Sequence, residues 1–391
     1  MTREEQLRKW LEESRAREAK LAKQVGTLEA KLRGADKVQA ELDRMKADAE
    51  AEEERTVAER RAIVEAVVPD WLRLDPPSRE GFAGVPTVFS SDWHGNEGVL
   101  PSDVGGVNEY GPAIFEARAK ELLNRSVDLL NNHVRHGQKY PGIIAPFDGD
   151  MLDHLNRWIH TSEPENPLGT RSGIDCVSEA ICGLVEGYVH AYGHVFSPCS
   201  RGNHGRLTPK GRYAQSAEEN LDAVVYDRVR AVLGRDPALR KRVSIVVAPG
   251  SDIMWRAYGH RYLMVHGDRE SLGSAGGDGI IGPAGPIIRG AVRLWVRASR
   301  TGRPFDTLLV GHYHQWMVLP GIIVNGSLKG FDAFAHARGF AYEPPRQAMW
   351  LTHPKWGITC HWPVYVDRKQ TGTPERRDSW VEVDKLMLES A

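Results

Sequence analysis

Short β-branched runs alternate with amphipathic stretches from Val85 onward, and this alternation restricts the chain to a layered α/β fold. The predicted strands are Val85–Phe89, Gly142–Phe147, His194–Ser197, Ser244–Ala248, Tyr262–Val265, Thr307–Val310 and Ile322–Val324. The predicted helices lie near Pro112–Arg135, Ile174–Tyr192, Ala214–Leu233 and Ile287–Arg300. A hairpin is predicted over Gln347–Val366, so we expect residues 85–391 to form one α/β domain with a C-terminal hairpin.

The first 66 residues differ in composition from the rest of the chain. They contain no proline and are rich in Glu, Lys, Arg, Ala and Leu. Apolar residues recur there in steps of three and four, at Leu7, Leu11, Leu21, Val25, Leu28, Leu32 and Leu42. A helix that only projects into solvent and a coiled coil with a second copy both fit, and the leucine stripe favours the second. We therefore predict a coiled-coil helical arm over residues 1–68, which makes a homo-oligomer, and a linker over residues 69–84, where prolines end the helical pattern.

Overall charge excludes neither enzymes nor binding proteins, since the chain of 391 residues has a formal net charge of −1. Affinity for a polyanion would need a local basic patch. No apolar run reaches transmembrane length, and the N-terminus lacks the apolar core of a signal peptide. The four cysteines follow no zinc or redox spacing. We expect a cytoplasmic protein that does not bind membranes.

Five segments rich in metal-ligand residue types follow predicted strands. They are Asp92-Trp93-His94, Gly149-Asp150-Met151-Leu152-Asp153, Gly202-Asn203-His204, His266-Gly267 and Gly311-His312-Tyr313-His314. Because ligands bind beyond the carboxyl ends of strands in open α/β sheets, we expect these loops to converge. Their carboxylate, imidazole and amide donors suit Mn, Fe, Zn or Ni. Each motif alone is weak, but five in this order predict a metal site.

In this order the motifs resemble the signature of the calcineurin-like metallophosphoesterases, over about residues 85–327. The resemblance implies a four-layer sandwich, in which two facing mixed sheets lie between helices, and a site for two divalent ions, with Mn preferred over Fe, Zn or Ni. One ion would be held by Asp92, His94, Asp150 and His314. The second ion would be held by Asp150, Asn203, His266 and His312. The remaining motif residue, His204, would face the substrate as a catalytic residue.

The chemistry implied by the resemblance is phosphoester hydrolysis by a hydroxide that bridges the two ions. Protonated His204 would stabilise the transition state or protonate the leaving oxygen. The third motif continues with Gly205-Arg206, without the acidic residue of the phosphoprotein phosphatases, and the second motif lacks their Asp-Arg-Gly run. These departures favour the nuclease and phosphodiesterase branch near Mre11 and SbcD, although that group has a histidine where Asp153 stands here.

The sequence is compatible with three functions. The chain could be a nuclease-like phosphodiesterase that acts on DNA, a phosphodiesterase or phosphatase for small molecules, or a non-catalytic metal-binding scaffold. Arg206 is a candidate for phosphate binding, or part of a solvated loop. Arginines at helical spacing over residues 289–303 could contact a nucleic-acid backbone, but a solvated face is favoured.

Overall fold

The computed structural model describes residues 12–27, 43–47, 63–73, 84–134, 140–153, 167–207, 219–250, 252–268 and 284–367. The chain divides into two compact units, Met1–Arg61 and Ala62–Ala391. In the first unit, residues 12–27 and 43–47 are helical. Leu21 and Val25 of the predicted seam are 60% and 51% exposed. The other seam residues lie outside the described residues, so the coiled coil stays a prediction.

The second unit is a mixed α/β structure with two sheets flanked by helices. Its described strands are β1 (Ile63–Glu65), β2 (Val85–Phe89), β3 (Ile143–Ile144), β4 (Phe147–Asp148), β5 (Val195–Ser200), β6 (Val243–Val247), β7 (Asp252–Ala257), β8 (His260–Val265), β9 (Thr307–Val310), β10 (Met317–Leu319), β11 (Ile322–Val324), β12 (Arg346–His353) and β13 (Gly357–Tyr365). Its described helices are α1 (Asp70–Arg73), α2 (Pro112–Asp128), α3 (Thr170–Tyr192), α4 (Leu221–Leu233), α5 (Pro237–Arg240), α6 (Ala284–Arg300) and α7 (Ala333–Ala337), with a 3₁₀ turn at Pro101–Val104 and a π-helical turn at Leu129–His133.

The strand order brings the carboxyl ends of several parallel strands together. Among the described residues, one sheet has the order β1-β7-β8-β9-β11-β10, and the other has the order β13-β12-β2-β3-β5-β4, with β6 also paired to β5. In the first sheet β8, β9 and β11 are parallel. In the second sheet β2, β3, β4, β5 and β6 are parallel, and β12 and β13 run in alternating directions beside them.

The two sheets pack face to face through large aromatic side chains. Trp255 stacks on Tyr262 in the first sheet at a centroid distance of 5.3 Å, and Tyr262 meets Trp350 of the second sheet at 5.9 Å. The Tyr262 hydroxyl also accepts from Trp350 Nε1 at 3.1 Å, so this buried polar atom is satisfied. Along β12 the side chains alternate between the two faces. Trp350 faces the other sheet, while Met349 and Leu351 face the helices.

Helices cover the outer face of each sheet. Residues of α2, α3 and α4, among them Phe115, Tyr188 and Tyr226, form one core with the second sheet. Ile287 and Ala291 of α6 form another core with the first sheet. The expected α/β class, with two sheets between helices, is confirmed. No helix within the described residues is long and apolar enough to cross a membrane.

Residues 63–73, which we predicted to belong to the arm and the linker, instead form part of the second unit. Within this segment β1 pairs in parallel with β7, and Ala66 and Leu72 are buried. A β-branched run, Ile63-Val64, lies at the end of the charged N-terminal region and supplies this strand. The strands β7 and β10 were also missed, since their apolar residues are mixed with polar and solvent-exposed ones such as Arg256 and Val318.

Candidate metal centre

The structure brings the five motif loops together at the carboxyl ends of the strands. Asp92 and His94 follow β2, and Asp150 follows β4. Asn203 and His204 follow β5, and His266 follows β8. The two histidines of the fifth motif follow β9. Backbone hydrogen bonds join the first two loops, for example from the amide of Asp92 to the carbonyl of Gly149 at 3.1 Å. The site therefore draws residues from both sheets.

One group of possible ligands consists of Asp92, His94 and His314. A ligand atom from each lies within 4.8 Å of the other two. The Nε2 atoms of His94 and His314 are 3.3 Å apart, and His314 Nε2 lies 3.4 Å from Asp92 Oδ1. Asp92 accepts hydrogen bonds from Ser91 Oγ at 2.5 Å and from the His312 amide at 2.9 Å. The carboxylate is thus held in place while one face points toward the imidazoles.

A second group consists of Asp150, His266 and His312, again within 4.8 Å of one another. His266 Nε2 lies 2.8 Å from Asp150 Oδ2, and His266 Nδ1 lies 2.6 Å from the carbonyl oxygen of Asp148. Asp150 also belongs to a third group, with His94 and His204. Asp150 and His94 therefore connect the two groups into one centre.

Asn203 supplies the strongest sign that this centre fits a cation. Its Oδ1 atom is buried and has no hydrogen-bond partner among the described residues. A buried carbonyl-type oxygen without a partner costs about 1–3 kcal/mol, so such atoms are rare in folded proteins. A divalent ion would satisfy this oxygen, and carboxylate, imidazole and amide donors are a set that such ions accept. The residues present therefore fit the metals implied by the motifs.

The backbone at this centre is unusual. Six described residues other than glycine have a positive φ, and five of them belong to the candidate ligand set. These are Asp92 (55°), His94 (47°), Asp150 (50°), His312 (67°) and His314 (54°). Each left-handed residue costs about 1–3 kcal/mol and persists when its surroundings enforce it. Strain of this kind concentrates at functional sites, which agrees with the placement of these side chains.

Two glycines allow the second and third loops to touch. Gly149 has a φ of 71°, and a Cβ there would lie 1.9 Å from the amide nitrogen of Gly202. A Cβ on Gly202 would lie 2.0 Å from Asp150 Oδ1. Neither distance is compatible with a side chain. The glycines beside the ligands are therefore required by contact between the loops.

Two further aspartates, which the sequence did not single out, hold the loops in position. The Asp222 carboxylate accepts from the backbone amides of Asp150, Met151 and Gly202 at 3.0, 3.0 and 2.8 Å. The Asp148 carboxylate accepts from Ser200 Oγ and from the Gly311 amide, the latter at 2.9 Å. Through these bonds the second, third and fifth motifs keep a fixed spacing.

The buried charged groups of the centre shift one another's pKa values. Burial by itself lowers the pKa of His266, but the charge and hydrogen bond of Asp150 outweigh it, so this pKa lies well above its usual value. Burial by itself raises the pKa of Asp150, but the charges of His266 and His204 outweigh it, so this pKa lies well below its usual value. Burial, followed by the charge of His266, lowers the pKa of His312 to about 4. Neutral imidazole and ionised carboxylate are the forms that bind metals.

His204 lies on the open side of the centre. Its side chain is 15% exposed, compared with 0% for His94. His204 Nδ1 lies 2.8 Å from Asp153 Oδ1, and His204 Nε2 lies 3.9 Å from Asp150 Oδ2. Burial opposes protonation, but these two carboxylates raise the pKa of His204 to about 9. The ring is therefore oriented and charged near neutral pH.

Arg206, the candidate for phosphate binding, forms an ion pair with an acidic side chain. Its guanidinium contacts Asp268, with Nη2 2.7 Å from Oδ2, and the residue is buried. Contact between Arg206 and a substrate stays a prediction from the sequence. The glycine-rich residues that follow Asp268 lie outside the described part of the chain.

Comparisons with known proteins leave the family open. No family model matches the chain, and no curated protein matches it. Similar solved structures include a dimetal phosphatase from Danio rerio, which is 8% identical with a TM-score of 0.32 and matches 73% of this chain and 100% of its own. The sulfate thiohydrolase SoxB from Thermus thermophilus is 11% identical with a TM-score of 0.28, over 75% of this chain and 58% of its own.

A third similar structure is a protein from Staphylococcus aureus assigned as a 5′-nucleotidase. It is 12% identical with a TM-score of 0.26, over 78% of this chain and 57% of its own. TM-scores this low do not establish a shared fold. These similarities therefore assign neither a family nor an activity to this chain.

Proposed function

We propose that this chain is a phosphoesterase that uses two divalent cations, with Mn preferred. The observation that carries the proposal is the junction of two ligand groups at Asp150 and His94. The first ion would be held by Asp92, His94, Asp150 and His314. The second ion would be held by Asp150, Asn203, His266 and His312. When bound, such ions neutralise phosphate charge and make water a strong nucleophile near neutral pH.

The chain's own residues would orient the substrate and transfer a proton. His204 is fixed by its contact with Asp153 at 2.8 Å, which leaves its Nε2 facing Asp150 and the open side. From Nε2 a proton can pass to the leaving oxygen, or can stabilise the charge that develops on the phosphoryl oxygens. Asn203 and the imidazoles contribute neutral donors, which preserves the positive charge needed for an anionic phosphate.

We propose a phosphodiester as the substrate class, with DNA as one member to test. A phosphate monoester carries nearly two negative charges at neutral pH, and the arginine side chain is well suited to bind such a group. Arg206, which follows the third motif, is paired with Asp268. This ion pair supports the singly charged diester, as do the departures from the phosphoprotein phosphatases in the second and third motifs.

The test is hydrolysis of bis-p-nitrophenyl phosphate and p-nitrophenyl phosphate by metal-stripped protein resupplied with Mn. We expect a clear preference for the diester, and loss of that activity in Asp150→Asn. The matched control is Asp306→Asn, since Asp306 pairs with Arg261 on the exposed surface. A preference for the monoester would contradict the diester proposal and support a phosphatase.

Two further arms separate the remaining functions. Cleavage of single- and double-stranded oligonucleotides at rising salt would identify a nuclease, because contacts to the phosphate backbone weaken as salt increases. Two bound Mn ions per chain without turnover of any ester would indicate a metal-binding scaffold. His204→Ala should retain both ions and lose at least 100-fold in turnover, as general acids typically contribute about 10²–10⁴. Full activity of that variant would rule out the role of His204.

A further inference from the structure

A buried lysine joins two carboxylates directly behind His94. Lys329 is 2% exposed, and its Nζ atom lies 3.0 Å from both carboxylate oxygens of Glu97. The same Nζ lies 2.6 Å from Asp332 Oδ2. Glu97 and Asp332 are also buried. We refer to Glu97, Lys329 and Asp332 as the Lys329 cluster.

The Lys329 cluster meets His94 on the side of the ring that faces away from His314. His94 Nδ1 lies 3.3 Å from Glu97 Oε2, within ion-pair distance but without regular hydrogen-bond geometry. His94 Nε2 lies 3.3 Å from His314 Nε2, on the ligand side. One ring nitrogen therefore faces a carboxylate, and the other faces the candidate metal ligands.

This placement decides which nitrogen of His94 can bind a metal. A neutral imidazole carries a single hydrogen, and the nitrogen without it provides the lone pair. An acceptor at Glu97 favours the hydrogen on Nδ1, so the lone pair of Nε2 is directed at the first metal position.

The cluster is itself firmly held. The backbone carbonyl of Lys329 accepts from Arg118 Nη1 at 2.6 Å and from Asn108 Nδ2 at 3.0 Å. Asp332 caps α7, because its Oδ1 accepts from the Ala335 amide at 2.8 Å. These bonds fix the Lys329 segment against α2, more than 200 residues away in sequence. Glu97 is thus supported by a rigid framework.

A metal ion at Glu97 is the competing explanation, since His94, Glu97 and Asp153 each offer a ligand atom within 4.8 Å of the others. However, both oxygens of Glu97 already contact the Lys329 ammonium. The positive charge at this position is therefore supplied by the chain. Because Glu97 Oε2 also lies 3.3 Å from His94 Nδ1, the role left for this carboxylate is to orient the imidazole.

We propose that Glu97 is a positioning residue that fixes the tautomer and orientation of His94 for the first metal ion, with Lys329 and Asp332 holding Glu97 in place. The inference rests on the proposed metal-binding function. Carboxylates behind ligating histidines typically affect metal affinity by about 10–100-fold. The effect should be confined to the first ion, because the second ion does not depend on His94.

The test is Glu97→Gln, with Mn per chain measured after dialysis at a series of free Mn concentrations. The amide can present its N–H to His94 Nδ1, which would move the imidazole hydrogen to Nε2. We expect the affinity for one ion to fall at least 10-fold while the other is unchanged. The matched control is Glu121→Gln, a buried glutamate that pairs with Arg125 at 2.8 Å within α2. This control should bind both ions as the wild type does.

Two more variants keep the proposal falsifiable. Glu97→Asp keeps the charge beside Lys329 but withdraws the carboxylate from His94 by about 1.5 Å, and it should show the same loss of one ion. The melting temperatures of the variants in EDTA separate this loss of metal affinity from unfolding. Nitrogen-15 spectra of the histidines with Zn bound should show the hydrogen of His94 on Nδ1 in the wild type. Lys329→Met should bind no more than two ions.

The outcomes are distinguishable. If the wild type binds fewer than two ions, the proposed function fails. If the wild type binds two, and both Glu97 variants bind two with unchanged affinity, the positioning role alone is overturned. A third Mn in Lys329→Met would also overturn it, because Glu97 would then act as a ligand. An equal weakening of both ions would indicate a general structural effect and would contradict the proposal.

Discussion

Replacing Gly202 with alanine should disable the metal centre. A Cβ at this position would lie 2.0 Å from Asp150 Oδ1 and 2.4 Å from the Asp150 amide nitrogen. Real Cβ contacts are longer than 3.0 Å, so the atoms must separate by at least 1.0 Å. The Gly202 amide also donates to Asp222 Oδ2 at 2.8 Å, which ties this backbone in place. The displacement therefore falls mainly on Asp150, the carboxylate that would bridge the ions.

The expected magnitude follows from this displacement. Metal–ligand distances tolerate about 0.2 Å, and a misplacement of about 1 Å can cost roughly 100-fold in rate. Overpacking should also reduce the free energy of unfolding by about 1–3 kcal/mol. We expect Gly202→Ala to lose at least 100-fold in diester turnover with Mn and to bind the ions more weakly.

The control is the same substitution at Gly183. That residue lies in the interior of α3, and a Cβ there would meet no atom of the described residues within 4 Å. Alanine should stabilise the helix by about 0.5–1 kcal/mol, which is opposite in sign to the change at Gly202. Urea unfolding in EDTA gives the stabilities, and turnover with metal content gives the function. Wild-type turnover and metal content in Gly202→Ala would refute the contact between the two loops as a requirement of the site.

Three other predictions concern separate parts of the molecule. Removal of metal with EDTA should lower the melting temperature, since ligand at 100 times its Kd contributes about 2.7 kcal/mol, and an unchanged melting temperature would argue against bound metal. Asn220→Ala should lower the free energy of unfolding in urea by about 1 kcal/mol. Asn220 caps α4 by accepting from the Asp222 amide at 2.9 Å, and it donates to the Gly202 carbonyl at 2.8 Å. No change in stability would show that the cap is dispensable. Glutamates at Leu21 and Val25 should reduce the oligomeric state in sedimentation without changing turnover per site, whereas an unchanged mass would reject the coiled coil.

Local patterns predicted the strands that lead into the centre. Val85–Phe89, Thr307–Val310 and Ile322–Val324 form strands with the expected bounds. All residues of these strands are buried. In the sequence each strand is therefore a short, mainly apolar run bounded by polar or turn residues. The motif loops follow such strands, and the structure accordingly brings their side chains together. Their roles as metal ligands stay predictions.

The residues that support the ligands could not be found in this way. Asp222 lies in the first turn of α4, where acidic residues are common, and its contact with the Asp150 amide spans 72 positions. Lys329 and Glu97 are 232 positions apart, and neither belongs to a recognisable motif. Such pairs arise from tertiary packing, so a single sequence contains no local signal for them. The left-handed backbone of the ligands is hidden for the same reason, since only glycine indicates it in a sequence.

The parallel pairing of β1 with β7 determines where the chain can be shortened. An N-terminal truncation that extends past residue 62 would remove β1 and expose the backbone of β7. This unpaired sheet edge could then pair with other molecules. A longer truncation would also remove Ala66 and then Leu72 from the core between the sheets. A fragment designed to test the proposed activity without the predicted arm should therefore begin before Ile63. A fragment that begins at Val85 is expected to aggregate, and such behaviour would reflect the exposed edge and not a defect of the candidate metal centre.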